Sequence, residues 1–164
     1  MVGYMSLEEQ VDRDFTLAHR RTLLGRMVVR LRRRNAASYR LLCFDEVKKI
    51  PGASARVYRG VRTVPVAQIG GSVGRCSEFD RDFMPTKASV GERWKRIDRA
   101  YHRGEELPPV SLYKVGSFYF VLDGHHRVSV AHYHAVEWID AYVTEFGVGG
   151  RGGVWSKQRD KECA

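Results

Sequence analysis

One stretch in the C-terminal half of the chain constrains its fold more than any other. Residues 118–122 form an apolar, aromatic run typical of a β-strand, and residues 128–133 can form a short helix. A polar pentad, D-G-H-H-R at residues 123–127, lies between them. The first N–H groups of a helix have no partner inside the helix and attract anions. The pattern therefore predicts either an anion site at a strand-to-helix turn or a turn whose polar side chains only cap the helix.

The residue types of the pentad favour the anion site. Gly124 allows a tight turn and a close approach of the backbone to a ligand. Arg127 presents a planar fork of donors that suits phosphate or carboxylate. His125 and His126 are expected to be further hydrogen-bond donors to an oxyanion, and such donors are strongest when protonated.

The composition indicates one globular core. A chain of 164 residues, 43% of them hydrophobic, is too short for two full domains. Cys43, Cys76 and Cys163 are widely spaced and form no C-x-x-C pair, which predicts reduced thiols in a cytoplasmic protein. No apolar run reaches the roughly 20 residues that span a bilayer, so no membrane association is expected.

Positive charge is concentrated at the N-terminal end. Residues 1–63 carry 14 Lys and Arg against 6 Asp and Glu, a balance of +8, whereas residues 64–164 carry 14 against 13, a balance of +1. This asymmetry predicts a polyanionic partner such as DNA. Residues 16–34 are predicted to form an amphipathic helix that packs through an apolar stripe of Leu24, Met27, Val28 and Leu31. The predicted phosphate-backbone contacts, without base specificity, are Arg26, Arg30, Arg33 and Arg34.

Local patterns predict most of the remaining elements. Ser89 and Glu92 have the spacing of a capping box, which predicts a helix that ends at Gly104. Residues 53–63 have no period and are predicted to be a loop. The other predictions are a helix near 44–50, a strand at 64–69, a hairpin of 110–115 with 117–122, and a strand at 138–143.

The order of these segments resembles the ParB/sulfiredoxin superfamily. The resemblance is carried by a V-P-V-x-x-I strand at residues 64–69, by Arg75, by P-V-S-L at 109–112, and by D-G-H-H-R at 123–127. It implies an α/β (α+β) fold, a mixed sheet with flanking helices. The implied organisation is a basic helical N-terminal segment and linker at 1–63, the ParB/sulfiredoxin-like domain at 64–146, and a Gly-rich flexible tail at 147–164.

Branches of this superfamily imply different activities. Sulfiredoxins carry G-G-C-H-R, and this chain has His125 in place of the cysteine, so sulfiredoxin activity is not expected. ParB proteins bind CTP at their pentad and contact DNA through a further domain, and no such domain is expected from the short stretch that follows the pentad here. Small kinases of free serine carry D-G-H-T-R. By that resemblance Asp123 orients a metal or accepts a hydroxyl proton, while His125, His126 and Arg127 hold the phosphates. Arg127 is expected to be the main phosphate clamp. Arg75 stands where ParB-like proteins carry a second basic residue.

The sequence therefore predicts a ParB-like nucleotide- or phosphate-binding protein with a DNA-associated or regulatory role. The expected ligand is ATP, ADP or CTP, bound with or without Mg²⁺. The alternatives are a phosphotransferase similar to the serine kinases, a ParB-like nuclease, or a nonspecific DNA-binding module with a vestigial phosphate site. Whether the chain forms a homo-oligomer is left open.

The sequence offers two groups of possible metal ligands. The acidic residues Glu78, Asp80 and Asp82 suggest either a Mg²⁺ site or, with more weight, a solvated loop with local ion pairs. His132 and His134 are two residues apart and do not face each other on a helix. Neither zinc nor haem is therefore expected.

Overall fold

The computed structural model describes residues 5–31, 40–48 and 56–147, which form a mixed α/β fold. Four helices are present in this part of the chain: α1 (Leu7–Leu31), α2 (Phe44–Lys48), α3 (Gly91–His102) and α4 (His125–Tyr133). The strands are β1 (Leu42–Cys43), β2 (Arg56–Pro65), β3 (Ile69–Ser72), β4 (Val110–Val115), β5 (Phe118–Asp123) and β6 (Trp138–Phe146). No helix in these ranges is both long and apolar enough to cross a membrane.

The six strands form one sheet in the order β1-β3-β5-β4-β6-β2. The pairs β1/β3, β3/β5 and β4/β6 are parallel, and the pairs β4/β5 and β2/β6 are antiparallel. Successive side chains of a strand point to opposite faces. Val121 accordingly packs in a cluster with Val128 of α4, while Phe120 packs with Phe44 and Val47 of α2. Helix α2 thus covers one face of the sheet and α4 the other, which confirms the predicted mixed sheet with flanking helices.

A second layer of helices lies outside α4. Trp94 of α3 is fully buried in a cluster with Ala18 of α1 and Val130 of α4. Its indole N–H donates to the Ser129 hydroxyl at 2.9 Å, which satisfies the one polar atom of a buried tryptophan. The N-terminal helix is therefore packed into the same body as the sheet.

Several predicted elements are confirmed. Helix α2, the β4–β5 hairpin, α4 and β6 lie where the local patterns placed them. The strand predicted at 64–69 is divided, because residues 66–68 form a 3-10 turn between β2 and β3. The predicted boundary at residue 63 falls inside β2, so the predicted N-terminal segment contributes β1 and most of β2 to the sheet. Residues 148–164, most of the predicted Gly-rich tail, lie outside the described ranges.

The loop predicted at 53–63 is wrong from Arg56 onward. Strand β2 pairs with β6 from Arg56 opposite Phe146 to Pro65 opposite Trp138. Most of its side chains are exposed, so no alternation of polar and apolar residues marks it. Strand β2 is held at the edge of the sheet by its backbone pairing with β6. A pattern of side chains gives no signal of such pairing.

The N-terminal helix differs from its prediction in start and orientation. A capping box opens α1: the Glu9 amide donates to Ser6 Oγ at 3.3 Å, and the Ser6 amide donates to Glu9 Oε2 at 2.8 Å. The box predicted at Ser89 is absent, because α3 begins at Gly91 with no side-chain cap. The buried stripe of α1 is Val11, Asp14, Ala18 and Thr22. The stripe predicted to pack is exposed at Leu24, Met27 and Val28.

Cys43 and Cys76 form a disulfide, which corrects the prediction of reduced thiols. The parallel pairing of β1 with β3 sets Cys43 opposite Ser72, close to the turn that carries Cys76. The two Cα atoms are 5.6 Å apart, within the usual range for a disulfide. A separation of 33 residues matches no local motif, so only the sheet register could reveal this pair.

Candidate functional site

The turn between β5 and α4 requires glycine for a packing reason. Gly124 has φ of +94°, in the left-handed region. A Cβ atom built on it would lie 2.6 Å from Cγ1 of Val110 in the neighbouring strand β4. The close approach of this backbone is thus to Val110, and it brings the first turn of α4 tightly against the sheet.

His125 is held inside the domain. It is 3% exposed, its ring stacks against Phe79, and its Nε2 atom lies 2.7 Å from Oγ of Ser72 at the end of β3. Burial, together with the nearby Arg75 guanidinium, lowers the pKa of His125 to about 4. The imidazole is therefore neutral at neutral pH, so a hydrogen bond that it donates lacks the added strength of a protonated ring.

His126 faces an open cleft instead of the core. Both ring nitrogens are shielded from water, and neither has a hydrogen-bond partner among the described residues. Burial and the charges of Arg75, Arg93 and Arg96 lower the pKa of His126 to about 4. The positive potential around this ring therefore comes from three arginines, and the ring itself stays neutral.

The cleft beside His126 has a volume of about 280 Å³. It lies where the turn after β3, the residues before α3 and the first turn of α4 meet. Its lining residues are Arg75, Glu78, Lys87, Ser89, Val90, Arg93 and His126. Three cationic groups against one carboxylate leave this lining with a charge of +2. Of the predicted site residues, Arg75 and His126 are brought together here.

Arg75 is positioned by the same serine that contacts His125. Its backbone N–H donates to Ser72 Oγ at 3.1 Å, and its guanidinium forms an ion pair with Glu78 at 2.7 Å. This carboxylate holds one side of the fork, and the side chain remains about one-third exposed. Arg75 is therefore fixed at the cleft wall and keeps access to a ligand.

Arg127 and Asp123 engage each other and the loop before β4. The Arg127 guanidinium donates to the carbonyl of Pro108, to that of Pro109 at 3.0 Å, and to Oδ2 of Asp123 at 2.9 Å. Only 14% of the Arg127 side chain is exposed. These partners give Arg127 a structural task, and neither residue lines the cleft.

In the acidic cluster of Glu78, Asp80 and Asp82, the middle residue Asp80 has a structural role. Asp80 is buried and accepts hydrogen bonds from the Thr22 hydroxyl at 2.8 Å and from the backbone N–H of Met84 at 2.8 Å. Burial raises the pKa of its carboxyl group. This carboxylate ties helix α1 to the loop before α3, and Glu78 is paired with Arg75. The arrangement agrees with local ion pairs better than with a Mg²⁺ site.

The predicted nucleic-acid contacts are only partly described. Arg26 is exposed near the end of α1. Arg30 lies within α1, but its side chain is outside the described part, as are Arg33 and Arg34 entirely. Contact of these residues with DNA stays a prediction.

Sequence reasoning missed Lys87, Ser89 and Arg93. The spacing of Ser89 and Glu92 predicts a helix cap, and Arg93 is one of several basic residues in α3 with no motif of its own. One signal was available, since Arg93 and Arg96 lie three apart and so share a helix face. Only the packing of α3 on α4 shows that this face meets the pentad.

No protein-family model and no curated protein matches the chain. Among solved structures, sulfiredoxin from Arabidopsis thaliana is similar at 15% identity with a TM-score of 0.37, over 61% of this chain and 93% of that chain. Sulfiredoxins give their name to the superfamily that the order of the sequence segments resembles. A similarity of this extent carries no argument about the activity of this chain.

Proposed function

We propose that this protein binds a phosphate-bearing small molecule, a nucleotide, with the phosphates in the cleft beside His126. One observation carries the proposal: Arg75, Lys87 and Arg93 surround the cleft at the first turn of α4. Cationic side chains and the unpaired N–H groups of a helix N-terminus both favour an anion. Their combination in a concave site favours phosphate over a singly charged ligand.

In this proposal the phosphate clamp is formed by Arg75 and Arg93, with Lys87 as a further positive charge. Arginine suits the task because its fork can donate two parallel hydrogen bonds to phosphate oxygens. The neutral His126 ring lines the same wall without adding charge, and both of its nitrogens are shielded from water. Ser89 adds a hydroxyl at the same wall. Arg127 stabilises the turn between β5 and α4 through its hydrogen bonds to the carbonyls of Pro108 and Pro109.

The size of the cleft limits how much of the ligand it encloses. Ligand pockets for whole small molecules typically measure about 300–1,000 Å³, so 280 Å³ suits the phosphate end of a nucleotide. Apart from His126, none of the described lining residues is aromatic, so a base has no evident ring to stack on. Recognition of this kind depends on the phosphate chain. We expect a preference for triphosphate over monophosphate and weak discrimination among ATP, CTP and GTP.

The experiment is a calorimetric titration of the full chain with ATP, ADP, CTP and GTP, each with and without Mg²⁺. The test variant is Arg93→Ala, and the matched control is Arg62→Ala, an exposed arginine of β2 outside the cleft. Loss of a charged hydrogen bond of about 1.5–3 kcal/mol should weaken binding roughly 10- to 100-fold in Arg93→Ala. Unchanged affinity in Arg93→Ala, or no saturable binding of any of the four, would reject the proposal.

Chemistry beyond binding is a separate question. Turnover to a diphosphate with a hydroxyl acceptor would indicate a phosphotransferase, and cleavage of a nucleic-acid substrate would indicate a ParB-like nuclease. The side chain of Asp123 forms an ion pair with Arg127 and is 77% exposed. Its carboxylate is therefore accessible from solvent. Product analysis after incubation with the bound nucleotide decides between binding alone and either reaction.

Binding of DNA is the second candidate, and the exposed face of α1 is the observation that favours it. Arg13 and Arg20 are exposed on the side of α1 away from its buried stripe, and Arg26 is exposed near the end of the helix. Contacts with phosphates would make log affinity fall with log salt concentration by about 0.9 per phosphate. A cytoplasmic location is compatible with either ligand, although disulfides such as Cys43–Cys76 persist mainly in oxidising compartments.

A further inference from the structure

A second cluster of polar side chains lies away from the cleft, where α1, α3 and the end of α4 meet. It contains Asp14 of α1, Asp98 and His102 of α3, and His134, which follows α4. Each offers one ligand atom, and the four atoms lie within 4.8 Å of one another. The proposed function uses none of these residues.

Hydrogen bonding within the cluster leaves one buried oxygen unpaired. Asp98 is fully buried, and its Oδ1 atom accepts from Nε2 of His134 at 2.6 Å. Its Oδ2 atom has no hydrogen-bond partner among the described residues and lies 3.5 Å from Nε2 of His102. Nε2 of His102 instead contacts Oδ2 of Asp14 at 2.9 Å. A buried carboxylate oxygen without a donor is costly, because the charged group has lost its water.

The four ligand atoms match the requirements of a divalent transition metal. Two imidazole nitrogens and two carboxylate oxygens are a donor set that zinc accepts, at about 2.0–2.1 Å for nitrogen and 2.0–2.2 Å for oxygen. Two carboxylates carry −2, so a dication makes the buried cluster neutral when both imidazoles are neutral. Asp98 and His102 are four residues apart in α3 and so lie on one face of that helix.

Three of the four ligand side chains are oriented by a further contact with a residue outside the cluster. The Tyr133 hydroxyl donates to Oδ1 of Asp14 at 3.0 Å, which leaves Oδ2 of that carboxylate directed at His102. The amide of Gln10 lies 3.4 Å from Nδ1 of His102. Its oxygen can accept an Nδ1–H hydrogen after an amide flip, because the two ends of the amide are nearly alike in shape. Tyr101 stacks on the ring of His134 with centroids 4.1 Å apart. Such outer partners are typical of metal-bound histidines and carboxylates.

We propose that Asp14, Asp98, His102 and His134 bind one divalent transition-metal ion, with zinc as the best fit. Four protein ligands fill a tetrahedral site and leave no position for a substrate, which is the arrangement of a structural ion. The ion joins helix α1 to α3 and to the end of α4. Its function is to fasten the N-terminal helix onto the α/β domain. The two histidines are 15–16% exposed, which gives an ion a route into the cluster.

The test begins with the metal content of the full chain purified without chelator and without added metal. Elemental analysis should find about one zinc per chain, as expected for a four-ligand structural site. The metal-free protein, prepared with a chelator, should show a lower Tm that added Zn²⁺ restores. Added Co²⁺ should produce the visible absorption of tetrahedral coordination, a signal that a hydrogen-bonded cluster alone does not give.

Asp14→Asn and Asp12→Asn form a matched pair of variants in α1. Asp12 is two residues away on the same helix, and its carboxylate pairs with Lys95 on the surface. Asp12→Asn should keep the cobalt spectrum and the zinc-dependent rise in Tm, while Asp14→Asn should weaken zinc binding at least tenfold. Asp98→Asn provides a second ligand variant if Asp14→Asn does not fold.

Three results would overturn the proposal. They are a protein without bound metal whose Tm responds to neither Zn²⁺ nor chelator, the absence of a tetrahedral cobalt spectrum, and equal zinc affinity in the Asp12→Asn and Asp14→Asn variants. The cluster would then be a set of buried histidine–carboxylate hydrogen bonds.

Discussion

The Nε2 atom of His125 lies 2.7 Å from the Oγ atom of Ser72, and this contact joins the first turn of α4 to the end of β3. The same serine oxygen accepts the backbone N–H of Arg75. Its hydroxyl hydrogen can therefore point to the neutral imidazole. One serine thus connects the turn that carries Arg75 with the helix that carries His126, the two sides of the cleft.

The burial of His125 predicts a loss of stability on acidification. The pKa of His125 is about 4 in the folded protein against an ordinary value of 6.5. Between these two values the unfolded chain binds more protons than the folded protein, so the free energy of unfolding rises with pH across this window. Between about pH 7 and pH 5 the loss from this group should be roughly 2 kcal/mol.

Urea denaturation at the two pH values measures this loss. The variant His125→Gln should lose about 2 kcal/mol less than the unmodified protein over the same interval. His19→Gln, a histidine on α1 outside the site, is the matched control. Equal pH dependence in the His125 variant and the unmodified protein would contradict the assignment.

Gly124→Ala should destabilise the fold by about 2–4 kcal/mol, the sum of a left-handed backbone cost and a steric clash. Gly116→Ala is the matched control, because Gly116 also has a positive φ but no heavy atom within 4 Å of the added Cβ. The control should carry only the backbone cost of about 1–2 kcal/mol. Thermal or urea unfolding of both variants tests the difference. Equal losses would show that contact with Val110 does not require the glycine.

Arg127→Ala should lower stability by about 1–3 kcal/mol, since it removes the donor to the Pro108 and Pro109 carbonyls. Nucleotide affinity should change less in this variant than in Arg93→Ala. Calorimetry and urea unfolding on both proteins provide the two measurements. Abolished binding with unchanged stability in Arg127→Ala would instead support the sequence prediction that Arg127 is the phosphate clamp.

Removal of the disulfide should reduce stability without removing the fold. The Cys43→Ser, Cys76→Ser double variant opens a loop of 33 residues, and the entropy of the unfolded chain should then cost about 3–4 kcal/mol. Cys163→Ser is the control variant. Thiol titration of the unmodified protein under denaturing, non-reducing conditions should find one free thiol per chain. Three free thiols would show that the pair is reduced.

Elements with strong local patterns were predictable from the sequence. The hairpin of β4 and β5 has two apolar runs around Gly116, and α4 follows its strand after a glycine. Strand β2 was missed because its exposed side chains carry no period, and α1 was placed too late because its buried stripe includes Asp14 and Thr22. A hydropathy pattern predicts burial only for apolar residues. It cannot identify polar residues whose burial depends on hydrogen-bond partners elsewhere in the fold.

Local patterns in the sequence were enough to predict the strand–turn–helix unit at residues 118–133, the excess of basic charge, and the residue types available for an anion site. Those properties depend on neighbours in the chain. The folding of the chain brings distant residues into contact: Arg93 and His126 at the cleft, Cys43 and Cys76 in a disulfide, and Asp14 with His134 in the polar cluster. Each of these contacts joins residues far apart in sequence, and only the sheet register and the packing of helices bring them together.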